Sequence, residues 1–224
     1  MVVAETFASL QGEGMLAGMP SFFIRTCGCN LRCQWCDTPY ASWHPEGEHL
    51  SVEELRGRAA AAGLRHVVIT GGEPLLQREI GDLTRMLREA GHHMTVETAG
   101  TLAPAFACDL LSVSPKTSNS DPGGRWEERH RRARLELAPL RKLVASFPEH
   151  QLKFVVQDRS DLPEVLDLVA TLGVWRERVF LMPEGRSQEE LDRRGPEIAR
   201  ICLEHGVRYS PRLHFDLFGG ARGR

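Results

Sequence analysis

The chain has 224 residues, of which 42% are hydrophobic and 26% charged, as in an ordinary globular protein of the aqueous phase. The formal net charge of -2 provides no general attraction to nucleic acid or to an anionic membrane surface, so neither is expected as a partner. No apolar run approaches the roughly 18 residues of a membrane span, and the N-terminus does not resemble a signal peptide. We therefore expect a cytoplasmic protein whose thiols stay reduced.

Short apolar runs alternate with helical patterns along most of the chain. These runs predict buried strands that begin at Ser21, His66, His93, Leu110, Leu152, Val179 and Val207. The helical patterns between them have clear ends. Ser51 and Glu54 are spaced as in a capping box, and Gly91, Gly173 and Gly206 stand where helices end with a left-handed residue.

The alternation of strand and helix occurs about six times, which predicts a parallel sheet with right-handed crossovers. The expected fold class is α/β, and the length fits a partial (β/α)6 TIM-like barrel in a single domain of residues 1–224. In such folds the chemistry lies at the C-terminal ends of the strands. The charged segment 119–137 interrupts the alternation and predicts a solvated loop or helix face.

Three of the six cysteines, Cys29, Cys33 and Cys36, follow the spacing C-x-x-x-C-x-x-C just after the strand that begins at Ser21. Three thiolates on one short loop can hold three irons of a [4Fe–4S] cluster, which leaves the fourth iron without a protein ligand. Such an open iron could chelate the amino and carboxylate groups of a methionine moiety. The alternative is a structural zinc site with Cys27 as the fourth ligand, although zinc usually takes two separated C-x-x-C pairs.

The segment TGGEP, from Thr70 to Pro74, follows the next predicted strand and again lies at its C-terminal end. Its two glycines allow backbone atoms to approach a ligand closely, and Glu73 offers a carboxylate to an ammonium group. A tight turn ahead of a helix would have the same residue pattern. Together with the cysteine motif, however, the segment favours a bound ligand beside an iron–sulfur cluster.

The cysteine motif followed by GGEP resembles the radical S-adenosylmethionine (SAM) superfamily. The segments LQGEG, FIRTCGCNLRCQWCDT, TGGEPLLQ, VETAGT, SVSPK, LMPEG and RLH extend over nearly the whole chain and are similar to those of the 7-carboxy-7-deazaguanine synthase family. This resemblance implies a radical SAM carbon–nitrogen lyase of 7-deazapurine (queuosine precursor) biosynthesis. It would convert 6-carboxy-5,6,7,8-tetrahydropterin to 7-carboxy-7-deazaguanine by ring contraction with loss of ammonia, and SAM would be regenerated.

The resemblance also implies which residues form the site. The cluster ligands match Cys29, Cys33 and Cys36, while Cys27 matches no known role. The positions expected to bind SAM are Trp35, Cys36, Asp37, Gly72, Glu73, Ser114, Pro115, Lys116, Met182, Pro183 and Glu184. The positions expected to bind the pterin are Leu10, Gln11, Gly12, Glu13, Arg25, Thr70 and His214. The family also uses Mg²⁺, which is expected on the Thr38 hydroxyl and on substrate oxygens.

Arg25 is the lone charge in the run SFFIRT, and a charge in a buried strand needs an anionic partner. A bidentate contact with the substrate carboxylate would supply one, and a structural pair with a local acid is the alternative. The sequence departs from the family at Ala99, where Asn is common. Its tail also continues further past His214 than in members whose chain end approaches the substrate, which leaves the role of Arg224 open.

The resemblance further implies a homodimer and an electron donor such as flavodoxin or ferredoxin. An alternative enzyme class is one that installs a glycyl radical on a protein partner. It would share the cysteine loop but would have no need of LQGEG or of a buried Arg25. A zinc-binding module without enzymatic activity is the second alternative.

Overall fold

The computed structural model describes residues 1–223 and contains one sheet flanked by helices. The strands are β1 (Val2–Leu10), β2 (Pro20–Thr26), β3 (Glu48–His49), β4 (His66–Gly71), β5 (His93–Thr98), β6 (Leu110–Val113), β7 (His150–Val156), β8 (Val179–Pro183) and β9 (Arg208–Tyr209). The helices are α1 (Pro39–Ser42), α2 (Val52–Ala62), α3 (Ile80–Glu89), α4 (Glu127–Leu135), α5 (Leu137–Ser146), α6 (Leu162–Leu172), α7 (Gln188–His205) and α8 (Leu213–Phe218). Over residues 1–223, no helix has both the length and the apolar character required to span a bilayer.

The strands follow the order β3-β1-β2-β4-β5-β6-β7-β8-β9 in the sheet. From β2 to β9 every neighbouring pair is parallel, and only β1 pairs antiparallel, with β2 on one side and β3 on the other. Six parallel strands, β2 and β4 to β8, therefore form the body of the sheet, with the short β9 added at one edge. This arrangement confirms the predicted α/β fold with a partial barrel.

The apolar runs form the predicted strands because their side chains are buried on both faces of the sheet. Ile24, Ile69, Leu111 and Phe154, from four strands of the sheet, all belong to one apolar core. Helix α3 adds Leu83 to that core. Parallel strands that are covered by helices on their faces have this composition, in contrast to the alternating pattern of a half-exposed strand.

The helix ends are those that the sequence predicts. The Ser51 hydroxyl accepts a hydrogen bond from the Glu54 amide, at 3.1 Å, and the Glu54 carboxylate accepts one from the Ser51 amide, at 2.7 Å. Gly173 and Gly206 adopt the left-handed conformation directly after α6 and α7. These caps satisfy backbone groups at the helix ends and so fix where each helix begins or stops.

Two parts of the structure differ from the simplest expectation. Strand β1 was not predicted, because its residues are mostly half-buried and do not form a continuous apolar run. The charged segment 119–137 contains helix α4, whose exposed arginines fit the predicted solvated face, but its His130 is buried. Both features contribute to the site described below.

Candidate active site

Two neighbouring cavities, of about 160 and 210 Å³, open where the parallel strands end. Residues at or just after the ends of β2, β4, β5, β6 and β8 line the first cavity, and residues around the β1–β2 connection and α8 line much of the second. The residues common to both cavities are Glu13, Asp37, Thr38, Thr70, Gly71 and Glu97. A ligand in one cavity would therefore meet a ligand in the other along this shared wall.

The loop between β2 and α1, termed the cysteine loop, brings Cys29, Cys33 and Cys36 to the first cavity. Near the start of the loop, Gly28 has a φ of +90°, a conformation that favours glycine. The end of β4 packs closely against it: a Cβ atom on Gly72 would lie 2.2 Å from the carbonyl oxygen of Gly28. The close backbone approach predicted for TGGEP is thus an approach to the cysteine loop.

Cys27 lines neither cavity. Its thiol is buried and donates a hydrogen bond to the backbone carbonyl of Glu46, at 3.0 Å. The zinc alternative required Cys27 as its fourth ligand, and this placement removes that ligand. Within residues 1–223, no three His, Cys, Asp or Glu side chains come close enough together to share a single metal ion. Thiolates that bind an iron–sulfur cluster are different in this respect, because each binds its own iron.

Burial dominates the chemistry of the thiols. It raises the pKa of Cys29 to about 11 and that of Cys33 to about 12, because a thiolate in this cavity loses its hydration. The nearby Lys116 opposes the shift only in part. Its ammonium donates to the Ser114 carbonyl and hydroxyl, at 2.9 and 2.7 Å, and lies 5.5 Å from the centre of the Trp35 ring. Thiolates here need additional positive charge, which a bound metal supplies.

Helix α4 supports the cysteine loop from outside the cavity. The Arg32 amide donates to Nδ1 of His130, at 2.9 Å, and Nε2 of His130 lies 2.9 Å from the Ser120 hydroxyl. Since Nδ1 accepts, the imidazole is neutral and carries its hydrogen on Nε2. Burial lowers the pKa of His130 to about 4, which agrees with a neutral ring.

Most positions predicted to bind SAM lie together. The first cavity is lined by Trp35, Cys36, Asp37, Gly72, Ser114, Lys116, Met182 and Glu184. Pro115 and Pro183 are absent from its lining, although the residues on either side of each are present. The cavity is therefore built from the strand ends that the sequence indicated.

Glu73 does not line the cavity either, and its side chain is fully buried. It accepts hydrogen bonds from the Leu75 amide at 3.0 Å, the Thr98 hydroxyl at 2.7 Å and the Ala99 amide at 2.8 Å. These contacts tie the end of β4 to the end of β5. The Glu73 carboxylate is thus bound by protein groups in this structure, and its predicted contact with a ligand ammonium stays a prediction.

All the positions predicted for the pterin line the second cavity: Leu10, Gln11, Gly12, Glu13, Arg25, Thr70 and His214. These positions are far apart in the sequence, and the packing of the LQGEG segment against α8 brings the first and last of them together. The Leu213 amide donates to the Gly12 carbonyl at 3.0 Å, and a Cβ atom on Gly12 would lie 2.4 Å from Nδ1 of His214. Gly12 is therefore required for His214 to reach the cavity.

Arg25 has a local acidic partner, the alternative that the sequence left open. Its Nε donates to the Glu5 carboxylate at 2.7 Å, and Glu5 lies directly opposite on β1. The Tyr40 hydroxyl donates to the same carboxylate at 2.8 Å, and burial raises the pKa of Tyr40 to about 12. The burial of Arg25 therefore does not by itself require that this side chain bind a substrate anion. The two terminal nitrogens of its guanidinium make no hydrogen bond to any described residue, so they can still do so.

A network of charges surrounds Glu13 in the shared wall. Its carboxylate binds the Lys153 ammonium, lies 3.5 Å from Nε of Arg212 and lies 4.0 Å from Nε2 of His214. Burial alone would raise the pKa of Glu13, but the positive charges of Lys153 and Arg212 outweigh it and hold that pKa well below 4.5. Glu13 is thus an ionised acceptor inside a cavity. Burial lowers the pKa of His214, which keeps its imidazole neutral near pH 7.

Comparison with known proteins shows the family of this chain. The sequence model of the radical SAM superfamily matches residues 23–138. Two proteins named 7-carboxy-7-deazaguanine synthase are similar over almost the full chain. The one from Rhodopirellula baltica is 45% identical over 100% of this chain and 88% of its own length, and the one from Halobacterium salinarum is 44% identical over 98% and 91%.

This chain belongs to the 7-carboxy-7-deazaguanine synthase family of the radical SAM superfamily. The solved structure of QueE from Escherichia coli is similar as well, with a TM-score of 0.67, 25% sequence identity, and coverage of 93% of this chain and 92% of that one. The fold of that structure and the names of the relatives point to the same family.

Radical SAM enzymes use a [4Fe–4S] cluster and SAM, and the first cavity fits both. Three thiols line it, one buried and two half-buried, and no fourth cysteine does, which leaves one iron for a ligand other than the protein. The residues predicted for SAM line the same cavity, beside those thiols. The first cavity thus holds the three cysteines and most of the positions predicted for SAM, and the second holds the positions predicted for the pterin.

Sequence reasoning missed Lys153 and Glu97, which lie in the wall of this family's site. Glu97 accepts hydrogen bonds from the Gln11 amide group at 3.2 Å and from the Thr70 hydroxyl at 2.9 Å, and it lies 3.7 Å from the Lys153 ammonium. The sequence contains a signal for both residues. Lys153 is the lone charge in LKFVV, and Glu97 is the lone acid in HMTVET.

The C-terminal segment also reaches the second cavity. Gly220, Ala221, Arg222 and Gly223 contribute to its lining, and Arg222 pairs with Glu5 at 3.3 Å. The prediction that concerned Arg224 lies outside the described residues. The tail after α8 therefore closes one side of the cavity.

Proposed function

We propose that this chain converts 6-carboxy-5,6,7,8-tetrahydropterin to 7-carboxy-7-deazaguanine with loss of ammonia. The observation that supports this proposal most directly is the shared wall. The second cavity is lined by every residue predicted for the pterin, and it adjoins the cavity of the three cysteines. A reaction in which SAM chemistry acts on a bound pterin requires this adjacency.

When bound, the cluster and SAM supply the reductive cleavage and the hydrogen abstraction that start the reaction, and the protein supplies position and charge. Glu13 and Glu97 offer carboxylate acceptors to the N–H groups of a pterin. Gln11 adds an amide whose oxygen accepts a hydrogen bond from the Glu13 backbone N–H at 3.2 Å, which fixes its orientation. The stacked rings of Phe7 and Phe23, with centroids 5.0 Å apart, provide an apolar surface in the same cavity.

We propose that the substrate carboxylate is held by the terminal nitrogens of Arg25. The pair with Glu5 uses Nε and so orients the guanidinium without occupying its other donors. Neutral His214, which packs against Gly12 in the same cavity, offers a hydrogen-bonding nitrogen rather than a second positive charge. A planar guanidinium recognises a carboxylate by two parallel hydrogen bonds.

We propose that Mg²⁺ binds at Thr38, where its hydroxyl and substrate oxygens would complete an oxygen-rich site. Thr38 lies in the wall between the two cavities, and its hydroxyl is 3.8 Å from the Cys36 sulfur. Magnesium keeps few protein ligands and prefers oxygen, which a single hydroxyl beside a chelating substrate satisfies. The single domain of residues 1–224, the homodimer, the cytoplasmic location and the flavodoxin-like or ferredoxin-like donor stay predictions from the sequence.

The experiment that tests this function is an anaerobic assay of the reconstituted protein with SAM, dithionite, Mg²⁺ and 6-carboxy-5,6,7,8-tetrahydropterin. We expect 7-carboxy-7-deazaguanine and ammonia in equal amounts, with SAM not consumed. The matched control lacks only the pterin. Consumption of SAM without a deazapurine product, in a preparation with a full cluster, would contradict the proposal.

A further inference from the structure

Three arginines surround one indole on the outer side of the cysteine loop. The centre of the Trp126 ring lies 5.0 Å from the guanidinium carbon of Arg32, 5.2 Å from that of Arg125 and 5.8 Å from that of Arg129. We call these four residues the Trp126 patch. Guanidinium groups at these distances are attracted to the face of an indole, which holds them in one place.

The patch carries uncompensated positive charge. None of its three arginines forms an ion pair with any residue of 1–223, whereas Arg131 and Arg134 of the same helix both pair with acids. Arg125 and Arg129 are exposed, and the neighbouring exposed acid Glu128 provides only one negative charge against three positive ones. On a chain with a net charge of -2, this is a local departure from the overall charge.

The patch is also joined to the loop that carries the cluster ligands. Arg32 donates from Nη1 to the carbonyls of Cys29 and Leu31, at 2.6 and 2.7 Å. Arg32 immediately precedes Cys33, and no residue of the patch lines the first cavity. The Trp126 patch therefore covers the solvent side of the loop whose other side faces the cavity.

We propose that the Trp126 patch docks the protein that reduces the cluster, namely an acidic one-electron carrier with a reduced flavin or iron–sulfur centre. This inference rests on the proposed function, since that function needs an external electron. One electron leaves the carrier centre and enters the cluster, and no atom is transferred. Positive charge at the entry point attracts an acidic carrier and orients it, and this effect acts mainly on the rate of association.

Charge reversal of the two exposed arginines tests the docking. Binding of a fluorescently labelled flavodoxin would be measured by anisotropy for wild type and for Arg125→Glu/Arg129→Glu. We expect affinity at least about 10-fold weaker in the variant at low salt, with the difference mostly lost at 0.5 M salt because charges on the surface are then screened. The control is Arg65→Glu/Arg200→Glu, which makes the same change in net charge at exposed positions before β4 and late in α7.

A second measurement separates docking from loop structure. Cluster reduction would be followed in a rapid-mixing experiment with reduced flavodoxin and, separately, with dithionite. We expect the variant to be slower by about 10-fold with flavodoxin and unchanged with dithionite. An unchanged affinity for flavodoxin, or an equal loss with dithionite, would overturn the proposal. If wild type forms no deazapurine with dithionite, the proposed function fails, and the anisotropy measurement still decides the docking.

Discussion

Replacement of Lys153 by Met should destabilise the protein, because the buried Lys153 is the shared cation of two half-buried carboxylates. Its ammonium binds Glu13 and lies 3.7 Å from Glu97, and its side chain is only 5% exposed. Met has a similar length and no charge. Removal of one partner from a buried ion pair costs about 3–5 kcal/mol, and we expect about 3 kcal/mol because Arg212 still faces Glu13. For a chain of this length that corresponds to a decrease in Tm of about 6–12 °C.

The assay is urea unfolding of cluster-free protein under anaerobic, reducing conditions from pH 4 to pH 8. The matched control is Lys142→Met, because Lys142 is exposed and donates only to the Ala103 carbonyl. Its free energy of unfolding should stay within about 0.5 kcal/mol of wild type. Adding Glu13→Gln to Lys153→Met should recover about 1 kcal/mol or more of the free energy of unfolding. The second substitution removes the carboxylate charge that Lys153→Met leaves without its ammonium partner.

The pH dependence gives an independent check on the same reasoning. In wild type the pKa of Glu13 is held well below 4.5, so its ion pair contributes fully above pH 4.5 and its contribution is lost as pH falls towards the folded-state pKa. Without Lys153, burial is opposed by fewer charges, and Glu13 takes up a proton more readily. The stability difference between wild type and Lys153→Met should therefore narrow below about pH 4.5. Equal stability at pH 7, or a difference that is constant with pH, would refute the assignment of this pair.

Four further predictions concern the two cavities and the loop. Alanine substitution of each of the three lining cysteines should abolish cluster assembly, and Cys27→Ala should keep it; iron and sulfide analysis after anaerobic reconstitution decides, and loss in Cys27→Ala alone would contradict the ligand assignment. Thr38→Ala should keep the cluster and SAM binding but weaken the dependence of activity on Mg²⁺, and an unchanged Mg²⁺ titration would exclude this hydroxyl as a ligand. Arg25→Lys should lower kcat/KM for the pterin by about 10–100-fold, since a lysine cannot bind both Glu5 and a substrate carboxylate as a planar fork; loss of SAM affinity with normal pterin binding would instead place Arg25 in the cofactor site. The free energy of unfolding should fall as pH is lowered from about 6.5 towards 4, because unfolding lets the buried His130 take up a proton, and His130→Gln should show a smaller fall in that window.

The body of the sheet was predictable because its strands are buried on both faces and therefore read as continuous apolar runs. Strand β1 was not, since its residues are mostly half-buried and form no continuous apolar run, and its pairing with β2 is set by a register that no local pattern specifies. That omission had a consequence for the site. The partner of Arg25 is Glu5 on β1, and without β1 in place the guanidinium appeared to lack an acid from the protein.

The residues that the resemblance assigned to the pterin line one cavity, but the physical role of individual side chains depended on contacts between distant segments. Glu73 stands in a motif where a carboxylate could bind a ligand. Only the position of β5 shows that the Thr98 hydroxyl and the Ala99 amide donate hydrogen bonds to this carboxylate. His130 lies about 100 residues from the cysteine loop in sequence. Arginines flank it along the chain, so the composition of this segment indicated an exposed helix. Its contact with Arg32 arises from tertiary packing alone.

The lone charges in the buried strands follow one rule that connects sequence to site. Arg25 in β2, Glu97 in β5 and Lys153 in β7 each interrupt an apolar run, and a charge in such a run must be paired or face a ligand. All three meet that requirement through a cavity that they line, with Glu97 and Lys153 3.7 Å apart and Arg25 paired across to β1. The rule was applied to Arg25 alone. Applied to every strand, it selects Glu97 and Lys153 as well as Arg25 before any family is considered, because a charge inside a buried sheet is tolerated only where it meets a partner or a cavity.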